Sequence, residues 1–302
     1  MKKLVSLLLA LALLLGMASA LAETEGKNVY IVTPYLTSVT TKDMAEYIKG
    51  NLEEVGCKVT VIDTEGDTAT FASRIEDAVT AKADAIVIIS VDPEYCKVQI
   101  QEAYEAGIPV FGCDAGYIDT MQMNATSDNY QIGQLITTYL FDKMEHKGNL
   151  VVLTHRPHPG VVRRTEALDD MLKDNPDIHV LTEEHVEVPG PIESGKSLME
   201  SIILANPEPG SITAVWCGFD EPAIGAAQAL QEAGRTDVIV TGVDANEQAV
   251  AMIQAGNTAL VATVRQDFVG MAKIVTEEMI KVFNGEETTR GDFYAEAVIV
   301  DK

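Results

Sequence analysis

Between residues 29 and 283 the chain keeps returning to one pattern: a short run rich in Val, Ile, Ala and Leu, a turn, then apolar residues at helical spacing. The pattern predicts strands over 29–33, 59–62, 85–90, 108–113, 150–154, 180–182, 212–216, 238–242 and 260–264. Helices are predicted over 42–55, 71–81, 98–106, 132–144, 164–172, 197–204, 223–233, 248–255 and 270–283. In the first of these Met44, Tyr47, Ile48, Leu52 and Val55 recur every three or four residues, and Gly56 ends the run. Strands that are apolar throughout, rather than at alternate positions, are buried on both faces. Alternation with helices then makes the sheets parallel and the fold class α/β.

The pattern also repeats on a larger scale. Glu105-Ala106-Gly107 leads into a strand that ends Gly112-Cys113-Asp114, and Glu232-Ala233-Gly234 leads into one that ends Gly242-Val243-Asp244. Two such units suggest two similar lobes, each with its own doubly wound sheet. The 302 residues allow this, because single cores stop growing near ~250–300 residues. Open parallel sheets bind ligands beyond the carboxyl ends of their strands, which places Asp114 and Asp244 at the ligand edges of the two lobes. The plainer alternative is that each Asp caps the turn that follows it.

The 22 Lys and Arg against 46 Asp and Glu give a formal charge of −24. Such an excess of acid excludes nucleic acid and anionic membrane surfaces as partners, since both select clustered bases. Residues 1–22 read as a secretory signal peptide: Lys2 and Lys3, the apolar run 4–15, then small residues around Ala18, Ala20 and Ala22. The run is shorter than the ~20 apolar residues of a membrane span. An exported protein, in a periplasm or at the cell exterior, is expected. Export permits disulfides, but Cys57, Cys96, Cys113 and Cys217 allow three full pairings among which the sequence does not choose.

Several motifs carry candidate chemistry. Residues 190–197, Gly-Pro-Ile-Glu-Ser-Gly-Lys-Ser, satisfy the phosphate-loop pattern GxxxxGK[ST], after a possible short strand over 185–188. Glu193 would set a carboxylate inside an anion cradle, and Pro191 removes one of its N–H donors. The alternative is a loop whose Gly195 and Ser197 start a helix. His155 and His158 flank Pro157 without a third ligand at metal-like spacing, so a solvated loop is expected and no metal. Asp114 and Asp244 admit two uses, an acid/base pair in an enzyme or a grip on hydroxyl groups without chemistry.

Nearly from end to end, the chain beyond the signal peptide resembles the periplasmic sugar-binding proteins of the ribose and galactose type, the type I solute receptors of ABC importers. The resemblance is carried by 29–63, by Ala106-Gly-Ile-Pro-Val-Phe-Gly-Cys-Asp114, by 126–133, by 216–225 and by Val240-Thr-Gly-Val-Asp244. It implies two Rossmann-like lobes joined by three crossovers, one formed by 27–128 plus 267–294 and the other by 129–266 plus 295–302. It also implies a non-enzymatic receptor without cofactor, a monomer whose partners are a sugar or polyol and a membrane ABC permease. Asp114, Arg164, Asp244 and Gln266 fall on ligand-contacting positions. The first loop differs: Ser38, Thr40 and Thr41 stand where ribose-type proteins carry an Asn and two stacking aromatics. Ala115 replaces a frequent base, and Phe219 replaces an Asn. Phe219, Tyr35 or Tyr117 would supply the missing aromatic wall, whereas Ser38, Thr40 and Thr41 would otherwise only cap a helix. An enzyme using the Asp pair remains the alternative reading. A repressor's effector domain shares the fold, but a signal peptide stands where its DNA-binding head would be.

Overall fold

The computed structural model describes residues 24–302, and the signal peptide expected over 1–22 lies outside them. Two six-stranded sheets organise the chain. The first contains β1 (Asn28–Thr33), β2 (Lys58–Asp63), β3 (Ala85–Ile89), β4 (Val110–Cys113), β5 (Met123–Ser127) and β11 (Asp292–Ala295), in the order β11-β5-β4-β3-β1-β2. All its pairings are parallel. The second contains β6 (Gly148–Thr154), β7 (Ile178–His185), β8 (Ala214–Cys217), β9 (Ile239–Thr241), β10 (Leu260–Gln266) and β12 (Ala297–Asp301). Its order, β12-β10-β9-β8-β6-β7, mirrors the first sheet, and only β12 runs antiparallel to its neighbour.

The helices are α1 (Val39–Glu54), α2 (Thr68–Thr80), α3 (Lys97–Glu105), α4 (Asn129–Lys143), α5 (Pro159–Lys173), α6 (Pro191–Ala205), α7 (Asp220–Glu232), α8 (Glu247–Ala255) and α9 (Phe268–Phe283). They cover both faces of each sheet. In β3, Ala85, Val87 and Ile89 enter one core while Ile86 and Ile88 enter the core on the other side. In β6, Val151 and Leu153 face one core and Leu150 and Val152 the other. Two-sided burial is why these strands read as unbroken apolar runs.

The chain passes between the sheets three times: from β5 to α4, from β10 to α9, and from β11 to β12. After β10 has completed the parallel part of the second sheet, α9 packs back on α1 and β5 of the first. Two proline-led helices start earlier than expected, α5 at Pro159 and α6 at Pro191, because proline fits the first helical turn, where its missing N–H has no partner to lose. The separate strand expected over 185–188 does not form; His185 is instead the last residue of β7. All four cysteines are buried free thiols.

The phosphate-loop pattern has a packing explanation. Residues 191–196 are already helical in α6, and Lys196 Nζ is paired with Glu232 Oε1 at 2.6 Å. A Cβ on Gly195 would lie 2.6 Å from Pro222 Cα, and one on Gly225 would run into the carbonyl oxygen of Ile192. These glycines let α6 and α7 approach backbone to backbone. Gly225→Ala is therefore expected to destabilise the protein by about 1–3 kcal/mol, the usual cost of overpacking. Urea unfolding is the check, and an unchanged midpoint would refute close packing as the reason for the glycine.

Candidate functional site

The site gathers at the carboxyl ends of the strands of both sheets. The first sheet contributes Tyr35 and Ser38 after β1, Thr40 and Thr41 in the first turn of α1, Ser90 after β3 and Asp114 after β4. The second contributes His155 after β6, His158 and Arg164 at the start of α5, Phe219 and Glu221 after β8, and Asp244 after β9. With Val161, Val188 and Phe268 these residues line one cavity, whose space between the atoms, mouth included, is about 460 Å³. As a ceiling, that volume suits a small molecule and not a polymer.

The backbone holds the two acids in place by the same device. Asp114 has φ 49° and Asp244 φ 122°, conformations that side-chain-bearing residues rarely take. The glycine two residues before each makes the turn possible. A Cβ on Gly112 would collide with the Asn124 side chain, and one on Gly242 with that of Asp220. Asn124 in turn ties down the next residue, donating to the Ala115 carbonyl at 2.8 Å and accepting from its N–H at 3.2 Å. Asp220 accepts from Asn246 N–H at 2.9 Å and from the Thr263 hydroxyl at 2.7 Å. The echo of Gly-x-Asp is thus a repeated loop lock, and the idea that the acids merely cap their turns is replaced by side chains that face the cavity.

Arg164 is almost wholly buried and fixed on three sides. Its Nε donates to Asn129 Oδ1 at 2.8 Å, its Nη1 to the Gly218 carbonyl at 2.9 Å, and Asp244 Oδ1 lies 3.6 Å from Nη1. Gln266 Nε2 donates to the same Asp244 oxygen at 2.8 Å. Burial pushes the Asp244 carboxyl up to about 6; Arg164 opposes the rise and the charge of Asp114 adds to it. Burial, with Asp244 nearby, raises Glu221 to about 7.

Among the described residues, polar contacts cross from one sheet's loops to the other's. The Ser38 hydroxyl donates to Glu221 Oε2 at 3.1 Å, Tyr35 Oη meets His155 Nε2 at 3.0 Å, and His158 Nε2 lies 3.5 Å from Asp114 Oδ2. The histidines are set in opposite tautomers. His155 Nδ1 donates to the Val186 carbonyl at 2.9 Å, leaving Nε2 as an acceptor, and burial pushes this ring down to about 4. His158 Nδ1 accepts from Gly160 and Val161 N–H at the start of α5, leaving its proton on Nε2 toward Asp114.

Seven of the expected site residues therefore meet in one cavity: Ser38, Thr40, Thr41, Asp114, Arg164, Phe219 and Asp244. Gln266 stands behind Asp244 and lines the adjoining open cleft. The helix-capping alternative for the first loop fails, because Ser38 sits at the N-cap position of α1 yet its hydroxyl makes no capping bond. Tyr35 reaches the cavity, whereas Tyr117 lines a separate depression beside Tyr130. The solvated loop expected at His155 and His158 is corrected: the residue His155 is buried, and both rings line the cavity. No cluster of three His, Cys, Asp or Glu able to hold a metal occurs among the described residues. Ser90, His155, His158, Glu221 and Phe268 join the site unannounced, although all five follow a strand's carboxyl end by only a few residues.

Several buried side-chain oxygens among the described residues have no partner within the protein, and two of them, Asp114 Oδ1 and Gln266 Oε1, belong to the cleft. Buried acceptors are normally satisfied, so a cleft that leaves a carboxylate oxygen unmatched is built to receive donors from outside. The profile of the periplasmic binding protein domain matches residues 29–287. The chain belongs to that family. This periplasmic binding protein is 25% identical to the ribose import binding protein of Bacillus subtilis over 305 aligned residues, covering 96% of each chain. It is 30% identical to the D-apiose import binding protein of Actinobacillus succinogenes over 259 residues, 85% of this chain and 81% of the relative. Among solved structures, an ABC sugar transporter subunit from Rhodobacter sphaeroides superposes with a TM-score of 0.86 at 26% identity, covering 92% of this chain and 99% of that one. The family is one of binding proteins and not of enzymes, so the acid/base reading of Asp114 and Asp244 is set aside. Among the described residues no helix is long and apolar enough to cross a membrane.

Proposed function

We propose that this protein is the exported solute receptor of an ABC importer, taking a sugar or sugar-like polyol between its two sheets and presenting it to a membrane permease. One observation carries the ligand class: the unmatched Asp114 Oδ1, in a cavity lined also by the Ser90, Thr41 and Ser38 hydroxyls and by Arg164. Carboxylates and amides that accept several hydrogen bonds suit vicinal hydroxyls, and Phe219 with Tyr35 offers apolar surface to the carbon skeleton. The relatives named for sugars support the same class. The lobes are 27–128 plus 267–294 and 129–266 plus 295–302, and hinge motion at the three crossovers would open the cleft for entry. The protein works without cofactor or nucleic acid, as a monomer, in a periplasm or at the cell exterior.

A thermal-shift panel of pentoses, hexoses and polyols tests the reading. A ligand present at ~100 times its dissociation constant stabilises the folded form by about 2.7 kcal/mol, a rise of roughly 5 °C for a chain of this size. The bound compound is expected back unchanged by mass spectrometry. Its steady conversion to product would overturn the receptor role, and a panel without any shift would overturn the ligand class.

A further inference from the structure

The cavity holds more negative charge than a neutral sugar can use. Its lining contains three carboxylates, Asp114, Glu221 and Asp244, but one guanidinium, Arg164. The residue after Asp114 is Ala115, so no second base joins them. The histidines do not make up the difference, since each keeps a ring nitrogen as acceptor: His158 toward the helix N–H groups, His155 toward the Tyr35 hydroxyl. Nor are these acids part of the solvated surface excess. Asp114 and Glu221 are 5% and 8% exposed. Arg164 and Gln266 both approach the same oxygen of Asp244, and Ser38 engages one oxygen of Glu221. One oxygen of Asp114, which lines the same cavity, has no partner at all.

The approach to the cavity has the same sign. An open cleft shares Thr40, Glu221, Asp244 and Phe268 with it, and adds Asp43, Glu247 and Asp267 against the single base Arg265. A cleft lined by one sign of charge concentrates the opposite ion and speeds its entry.

Resting on the sugar-receptor reading above, we infer that the ligand is a small polyhydroxylated amine, an amino sugar, aminocyclitol or amino-alditol, whose ammonium group is held by Glu221 and Asp114 while its hydroxyls meet the remaining polar lining. An ammonium brings three donors to carboxylate oxygens and cancels one of the two surplus charges. Charge-assisted bonds of this kind are about twice as strong as neutral ones. Burial raises both Glu221 and Asp244, and a neighbouring carboxylate adds to each rise, Asp244 for Glu221 and Asp114 for Asp244.

Calorimetry on matched pairs decides the matter: D-glucosamine with D-glucose, D-galactosamine with D-galactose, and glucamine with sorbitol, with N-acetyl-D-glucosamine as a neutral amide. The amine of at least one pair is expected to bind about 10- to 100-fold more tightly than its neutral partner, the span of one charge-assisted hydrogen bond. Glu221→Gln should cut that amine-to-neutral ratio at least ~10-fold. Equal or tighter binding of the neutral members would overturn the inference and leave the sugar receptor intact. Binding of neither series up to about 10 mM, a very weak limit, would overturn both. An amine preference that Glu221→Gln does not diminish would refute the place assigned to the ammonium.

Discussion

Asp114→Asn is expected to abolish ligand binding while the free protein melts at the same temperature or slightly higher. Asp114 Oδ1 is buried and unmatched, and its other oxygen has Ser90 and His158 at 3.4 and 3.5 Å, long for hydrogen bonds. A buried acceptor left in that state costs the folded form about 1–3 kcal/mol, a cost that ligand hydroxyls or an ammonium would remove. Asn is the informative replacement because it tolerates φ 49°, as Asp does, whereas Ala would add backbone strain of its own. Losing two hydrogen bonds to a charged acceptor, at ~1.5–3 kcal/mol each, lowers affinity by more than about 100-fold. Calorimetry with any ligand of the native protein, beside a melting curve of the free variant, reads both halves. Affinity within tenfold of the native protein would place the binding cleft elsewhere. A large drop in melting temperature would make Asp114 a structural residue.

How far the chain could be read without coordinates depended on where each residue's partners lie. Ala-Ile-Val-Ile-Ile over β3 announces itself because both its faces meet apolar cores. Met-Asn-Ala-Thr-Ser over β5 is just as buried yet went unseen as a strand. Its Asn124 is satisfied by the Ala115 backbone and by Asp292, a residue 168 positions away. Strands β11 and β12 are short, half-exposed edge strands that gain their order from sheets already built by the preceding chain.

The site divides along the same line. Asp114 and Asp244 were legible because a local device, glycine two residues before an acid at a strand's end, marks both loops. Arg164 and Gln266 carried no comparable mark of their own and were located through the resemblance. Glu221, His155 and His158 follow strand ends too, but their partners Ser38, Tyr35 and Asp114 lie across the cleft, and no spacing within either half encodes such contacts. The phosphate-loop pattern, which Glu193 and Pro191 already argue against, is the opposite case. Its glycine serves the contact of α6 with α7, so a local motif stood in for a tertiary one.

Arg164→Met should produce the largest loss of stability of any change in the cleft. The guanidinium is 2% exposed, satisfies Asn129 Oδ1 and the Gly218 carbonyl, and is the only base lining the cavity with Asp244. Met keeps much of the apolar volume, so the deficit reports the charge and its hydrogen bonds more than a void. Breaking a buried pair from one side costs about 3–5 kcal/mol, and a fall in melting temperature of roughly 5–10 °C follows for a chain of this length. Arg164→Lys should recover little, because an ammonium cannot reproduce the fork that reaches Asn129 and Gly218 together. The effect of pH has a definite sign. Burial already raises Asp244 to about 6, above the ordinary aspartate value of 3.8, so the folded form holds its proton more tightly than the unfolded chain does. Removing Arg164 raises that carboxyl further. The deficit should therefore be largest near about pH 8, where Asp244 must be buried as an unpaired anion, and shrink toward about pH 5 as it takes up a proton. Adding Asp244→Asn should restore part of the lost stability at the higher pH and little at the lower, since the double variant has no anion to strand. A deficit independent of pH, or a double variant no more stable than Arg164→Met, would mean that Arg164 holds the cleft through Asn129 and Gly218 alone, with the charge of Asp244 balanced by water.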